Sequence, residues 1–191
     1  MNKKKRKIFF LLPSLVGGGA ERTLINLLQK IDYKVYEVDL LIVLKKGVYL
    51  NQVPKGVNLL YLFNNAFFVR SLAYLQKKTD LTFPYKVKLN KVIKKDYDLG
   101  ISFLDSNFTD ILFLTDKIDK KYTWVHSSYV SNPSFSNSYK SKKYRKKLIK
   151  NRYKRLDGIY FVSENAKEEF IEVFGNYPKM EVIYNLINNK I

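Results

Sequence analysis

A chain of 191 residues is long enough for one domain with a sizeable core, or for one half of a two-domain enzyme. It has no cysteine and a single histidine, which excludes disulfides, thiolate metal sites and multi-histidine metal centres, and no metal or cofactor is expected. The formal charge is +18, from 35 Lys and Arg against 17 Asp and Glu, and no uninterrupted apolar run is long enough to span a bilayer.

The charge is unevenly spread. Lys3, Lys4, Lys5, Arg6 and Lys7 form one basic run, and Lys140, Lys142, Lys143, Arg145, Lys146, Lys147, Lys150, Arg152, Lys154 and Arg155 form another. Without those fifteen, 20 basic residues face 17 acidic ones, so the protein reads as a near-neutral body with two basic segments. Such segments favour phosphates, acidic lipid headgroups or nucleic acid; the plainer alternative is a solvated charged face. Residues 1–20 have the basic start and apolar stretch of a signal peptide, but Pro13 and Ser14 interrupt it and the glycines run straight into a helical pattern. The segment therefore reads as first strand and loop.

In chain order, Ile8–Leu12 is a buried strand. Ala20–Ile31 is a helix with Leu24, Leu27, Leu28 and Ile31 on one stripe. Val38–Leu44 and Val57–Leu62 are strands. Helices are predicted over 70–78 and 85–95, with Pro84 suited to a helix start. Asp98–Leu104 is a strand, and Ser106 or Asn107 caps a helix with Phe108, Ile111 and Leu112 inward. Tyr122–His126 is a strand and 127–137 a Ser/Asn/Pro loop. Residues 138–156 read as a long basic helix with Leu148, Ile149, Tyr153 and Leu156 on one face. Gly158–Ser163 is a strand, Ser163 caps a helix bearing Ala166, Phe170, Val173 and Phe174, and Met180–Tyr184 is a last short strand.

This alternation predicts an α/β fold, a mostly parallel sheet with helices on both faces. Ligands bind beyond the carboxyl ends of such strands, where the glycine loop, Asp105, His126 and Ser163 all fall. A strand, a glycine turn (Gly17, Gly18, Gly19) and a helix aim backbone N–H groups and a helix dipole at an anion, so phosphorylated ligands are the first class to consider. The plainer reading is a tight turn that binds nothing. A P-loop is excluded because Gly-Ala-Glu-Arg stands where Gly-Lys-Ser/Thr is required. A dinucleotide fingerprint is excluded because Arg22 replaces the third glycine and Leu44-Lys45 the acid. Glu21 and Arg22 read as a cap and a surface ion pair, and Asp105 as a helix cap.

The same segments resemble, in order, the acceptor-side domain of family-four glycosyltransferases, retaining enzymes with two facing Rossmann-like domains (the GT-B fold). Gly17-Gly18-Gly19-Ala20-Glu21-Arg22 is similar to their first loop, Tyr97 to Asp105 to their fourth strand, and Trp124-Val125-His126-Ser127-Ser128 to the strand end that presents a substrate-facing histidine. Phe161 to Lys167 resembles their valine-serine strand and helix, and Val182 to Ile187 the segment leading to the second domain. The likeness is nearest to enzymes of capsule, O-antigen or lipid-linked glycan synthesis. It implies that residues 1–191 are an N-terminal acceptor-binding domain, with the C-terminal nucleotide-sugar domain absent and the piece by itself inactive. It implies that Gly17, Gly18 and Gly19 lie near the donor diphosphate and that His126 is the catalytic, substrate-facing residue. The expected partners are a nucleotide-sugar donor, a glycan or lipid-pyrophosphate acceptor, and an anionic membrane docked by the basic residues 140–155, at the inner face of the plasma membrane. The competing readings are a basic α/β nucleic-acid-binding module, for which no recognised motif is present, and a non-catalytic subunit of a split transferase.

Overall fold

The computed structural model describes residues 4–130 and 141–185; the end of the expected 127–137 loop, Lys140 and the expected lead-out at Leu186-Ile187 lie outside them. Seven strands form one sheet: β1 (Arg6–Leu12), β2 (Tyr36–Leu44), β3 (Val57–Phe63), β4 (Tyr97–Ser102), β5 (Ile118–Val125), β6 (Gly158–Phe161) and β7 (Met180–Val182). Their order is β3-β2-β1-β4-β5-β6-β7, and every neighbouring pair is parallel. This is the expected α/β Rossmann-like sheet.

Register and burial explain the composition of the strands. Phe10 pairs with Leu40 and Ile101, and Leu11 with Leu41 and Ser102, so β1 is buried on both faces. The helices are α1 (Gly19–Lys30), α2 (Ala66–Thr79), α3 (Phe83–Val92), α4 (Lys142–Asn151) and α5 (Glu164–Phe174). On one face Leu24, Ile25 and Leu28 of α1 pack against Phe10, Leu12, Leu40 and Ile42. Truncating any of these α1 residues to alanine costs about 2–5 kcal/mol. On the other face Val69 and Leu72 of α2 and Tyr85 and Leu89 of α3 pack on Phe9, Leu11 and Leu41, while Phe170 and Phe174 of α5 cover Val125, Ile159 and Phe161. The unequal split follows from right-handed crossovers: β1 to β2 runs one way along the sheet, and β4 to β7 the other. Beyond α1 its face is finished by aromatic rings, Tyr122 stacked on Tyr160 at 5.5 Å and Trp124 tilted against Phe103 at 4.8 Å.

Two elements differ from expectation. Residues Asn107–Leu114 form a 3-10 helix; Ser106 caps it as expected, its Oγ accepting from the Phe108 amide at 3.2 Å. The long basic helix is shorter, α4 ending at Asn151 and followed by a 3-10 turn at Tyr153–Arg155. The break falls at Arg152, whose side chain turns inward and whose backbone (φ −122°, ψ −72°) leaves the helix.

Because β1 and β4 are neighbours while the chain runs outward from each in opposite directions, the sheet has its switch point between them. The glycine loop follows β1, Asp105 follows β4, and His126 follows β5, all on one rim.

Candidate functional site: the glycine rim

The glycine loop is built by hydrogen bonding to its neighbour. Leu44 N donates to Pro13 O at 2.9 Å, Leu15 N to Lys46 O at 2.9 Å, and Tyr49 N to Leu15 O at 3.2 Å, so the loop after β2 braces the loop after β1. Gly47 makes this possible: at φ +140° it lies so close that a Cβ would stand 1.8 Å from Leu15 O. Within the loop, Gly17 takes φ +128°, a conformation that requires glycine, and Gly18 is the N-cap of α1. The Gly17 amide donates to Glu21 Oε2 at 2.7 Å, and the Gly18 amide donates to the same oxygen. Glu21 is therefore a cap, as expected, but a buried one, 7% exposed, and its carboxylate occupies two of the three glycine amides. Arg22 forms no ion pair among the described residues; its Nη1 donates to Gln52 Oε1 at 2.7 Å and its guanidinium lies over the Tyr49 ring.

Gly19 differs from the other two. It is the first helical residue of α1, its φ is ordinary, and a Cβ there would meet nothing within 4 Å. The Gly19 and Ala20 amides donate to no group among the described residues. They are the donors that a helix start leaves for an external acceptor.

His126 stands just past β5, two strands from β1, a separation of roughly 10 Å. Its ring packs on Phe103 (4.9 Å between centroids) and Trp124 (5.8 Å). This apolar setting pushes its pKa down from 6.5 to about 4, because burial penalises the imidazolium. The ring is therefore neutral at pH 7. Its buried Nε2 and the neighbouring Trp124 Nε1 have no hydrogen-bond partner among the described residues. A leftover polar atom of this kind calls for a ligand, water or ion.

The loop that carries His126 is clamped by two carboxylates. The Tyr129 hydroxyl donates to Asp105 Oδ2, and Glu169 of α5 accepts from Ser128 Oγ and, at 3.1 Å, from the Val130 amide. Asp105 is not a helix cap. It is 5% exposed and also accepts from Tyr153 Oη at 2.8 Å, Thr109 Oγ1 at 3.1 Å and Arg152 Nη1 at 3.2 Å. Arg152 in turn donates from Nε to Asp110 Oδ1 at 2.7 Å. Arg152 is 1% exposed, which removes it from the basic residues expected to meet a membrane: its charge is spent inside on Asp105 and Asp110, and those carboxylates hold its pKa well above the usual value against the burial that lowers it. Lys142, Lys143, Lys146, Lys150, Lys154 and Arg155 remain exposed; Arg145 and Lys147 are half-buried, and Lys147 pairs with Asp80. Gly47, Tyr129 and Glu169 carry the site's geometry without having stood out in the sequence, and Tyr153, expected only on the apolar face of the basic helix, bonds to Asp105. Only Gly47, a glycine just after a buried strand, offered a signal.

The rim is shallow. The cavity lined by Leu104, Asp105, Val125, His126, Ser127 and Tyr129 holds about 10 Å³, room for no more than one water. A far larger cavity, about 650 Å³, lies at the opposite, amino end of the strands, between Arg6, Leu27, Asp98, Lys120 and Tyr122. It is remote from both the glycine loop and His126, and the strand-end rule favours the rim. Among the described residues no group of acidic, histidine or cysteine side chains is placed to hold a metal ion, and no helix is long and apolar enough to cross a membrane.

The fold has solved counterparts. The crystal structure of Anabaena HepE with UDP and glucose is similar with a TM-score of 0.59 at 16% identity, over 96% of this chain and 45% of that one. The TcCGT1 structure with UDP is similar with a TM-score of 0.50 at 15% identity, over 98% of this chain and 54% of that one. The chain thus spans about half the length of these proteins, and its sheet and helices correspond to one domain of a GT-B glycosyltransferase. No curated protein sequence matches it. The family match, to Glycosyltransferase Family 4, covers residues 17–190. Beginning inside the glycine loop and running almost to the last residue, it makes the chain a member of glycosyltransferase family 4.

Proposed function

We propose that this chain is the N-terminal, acceptor-side domain of a retaining hexosyltransferase. It works with a second domain that holds the nucleotide sugar, and residues 1–191 alone are inactive. The acceptor is a glycan or lipid-pyrophosphate of surface polysaccharide synthesis, of the capsule or O-antigen kind. UDP and glucose in the HepE crystal, a protein of similar fold, support a nucleotide-sugar donor.

The observation that carries this reading is Gly19. The turn accounts for Gly17 and the close approach of Glu21 accounts for Gly18, but nothing in the fold requires glycine at position 19. The missing side chain leaves clearance, and the amides behind it are free among the described residues. A diphosphate oxygen seated there accepts from Gly19 and Ala20 at the positive end of α1. Glu21 keeps Gly17 and Gly18 rigid behind it.

In a retaining transfer the bond from the sugar's anomeric carbon to the phosphate oxygen breaks, and a bond to the acceptor oxygen forms on the same face. The acceptor proton passes to the departing phosphate. Positive charge grows on the ring and negative charge on the phosphate, so positioned donors matter more than a strong base. His126, neutral and held by Phe103 and Trp124, orients a sugar or acceptor hydroxyl through one water seated on its buried Nε2. The exposed cations of α4 and the turn after it bring the enzyme to the anionic inner face of the plasma membrane.

Sugar transfer from UDP-glucose and other nucleotide sugars to lipid extracts, by the complete protein, tests this. His126→Ala is expected to lower kcat by about 10²-fold or more with little change in donor KM. Turnover equal to the unmodified enzyme would refute the role given to His126.

A further inference from the structure

The basic segment supplies charge for docking but little apolar surface, since Leu148 and Tyr153 are buried in the core. Exposed apolar residues also occur at Val16, Val35, Val48, Val130, Ile183 and Tyr184, but the largest group lies on α2 and α3. Phe67 is 81% exposed, Phe83 69% and Tyr74 58%, with Phe68, Leu75 and Val87 also exposed. Single exposed apolar residues are ordinary, but this is a cluster within 21 residues, and it includes three exposed phenylalanines.

The geometry of α2 explains the cluster. Asn65 caps the helix, its Oδ1 accepting from the Phe68 amide at 3.0 Å. Val69, Leu72 and Gln76 face the core, and Gln76 Nε2 donates to Asn107 O at 3.0 Å. That fixes Phe67, Ser71, Tyr74 and Lys78, at helical spacing, on the outward stripe. Asp80, in the left-handed region at φ 59°, turns the chain into α3, where Phe83 and Val87 lie one turn apart. Around these stand Arg70, Lys77, Lys78, Lys86, Lys88 and Lys91. The one carboxylate in residues 66–92 is Asp80, and Lys147 of α4 neutralises it. Lys147 also donates to Lys77 O at 3.1 Å, and Lys77 lies over the Tyr144 ring, so the apolar face and the basic helix adjoin.

We infer that the outward face of α2 and α3 is a docking surface for an anionic lipid bilayer, with Phe67, Tyr74 and Phe83 entering the headgroup–acyl boundary among the surrounding cations. This deepens the membrane reading above and rests on it. Apolar side chains ringed by lysines, with their one acid neutralised, match a negatively charged interface whose core is hydrocarbon. A protein partner fits less well, because lysine is depleted at protein–protein interfaces. Since α2 starts where β3 ends, the surface reaches the same rim as the glycine loop, and docking there brings lipid-linked acceptors to it.

The test is sedimentation of the full chain with vesicles of equimolar phosphatidylglycerol and phosphatidylcholine, compared with phosphatidylcholine alone. The double variant Phe67→Ser/Phe83→Ser alters only exposed side chains, so its melting temperature should match wild type. The expected result is binding to the anionic vesicles that weakens about tenfold or more in this variant. The chain has no cysteine, so Ser71→Cys carries a single environment-sensitive dye, which is expected to shift to the blue on anionic vesicles. Binding by Phe67→Ser/Phe83→Ser equal to wild type, with loss only in Lys142→Glu/Lys146→Glu, would overturn this inference while leaving docking through α4 intact. No vesicle binding by wild type would overturn both. Retention of a random single-stranded oligonucleotide, lost in Phe67→Ser/Phe83→Ser with no vesicle binding, would overturn them in favour of nucleic acid.

Discussion

Replacing Arg152 by methionine removes the cation that faces Asp105 inside the protein. The side chains have similar length, so little packing is lost and the change is mainly one of charge. Asp110 is 28% exposed at its side chain and can turn to water, but Asp105 is 2% exposed and cannot. Asp105 keeps the hydroxyls of Tyr129, Tyr153 and Thr109, all neutral donors. Breaking a buried pair from one side typically costs about 3–5 kcal/mol, because the remaining charge is stranded. That is a large share of the roughly 5–15 kcal/mol that holds a domain together. For a chain of this size it lowers Tm by roughly 10 °C. Urea unfolding followed by circular dichroism should show a lower midpoint with an unchanged slope. Lys154→Met, two residues away and exposed, should change stability by less than about 0.5 kcal/mol. In Asp105→Asn/Arg152→Met the two losses should fall well short of adding, because the partners are coupled. A loss below about 1 kcal/mol for Arg152→Met would show that the residue is on the surface after all.

The pH dependence of stability tests His126. Burial lowers its pKa to about 4, so between about 4 and 6.5 the unfolded chain binds a proton that the folded one refuses, and stability falls as pH drops through that window. The contribution reaches roughly 3 kcal/mol at the bottom of the window, and His126→Gln should flatten this part of the curve; equal slopes in both proteins would contradict it. Glu21→Ala should cost about 1–2 kcal/mol and speed amide exchange at Gly17 and Gly18, whose acceptor it removes; unchanged exchange would argue against the cap. Gly47→Ala should cost more than about 2 kcal/mol, since its Cβ would overlap Leu15 O at a φ alanine resists, and a wild-type urea midpoint would disprove the brace.

The strands could be read from the sequence because a parallel sheet buries both faces and leaves continuous apolar runs, as in Phe9 to Leu12 and Leu40 to Val43. The rim followed from topology, since parallel strands all end on one side. The electrostatic interior could not be read in this way. Arg152 sits among nine other basic residues of its segment, and nothing in that run distinguishes a cation directed at Asp105, 47 positions earlier, from one directed at water. Asp105 beside Ser106 has the appearance of a cap, and only the three-dimensional approach of Tyr129 and Tyr153 reveals otherwise. For the same reason Glu21 could be recognised as a cap, a local interaction, while the brace from Gly47 to Leu15 joins two loops far apart in the sequence. The 3-10 form of Asn107–Leu114 depends on Thr109, whose hydroxyl bonds to Ser102, Asp105 and Ser106 at once, again a contact that spacing alone does not encode.

Gly19→Ala tests whether Gly19 is kept small for a ligand or for the fold. Its Cβ enters open space at a helical position, so the variant should be as stable as wild type or slightly more so. In the complete protein, UDP-glucose should move the assigned ring resonance of His126 in a saturable way, and Gly19→Ala should weaken that response about tenfold or more. A histidine signal unmoved by UDP-glucose, or an alanine variant that binds it like wild type, would contradict the claim that this rim receives a sugar diphosphate.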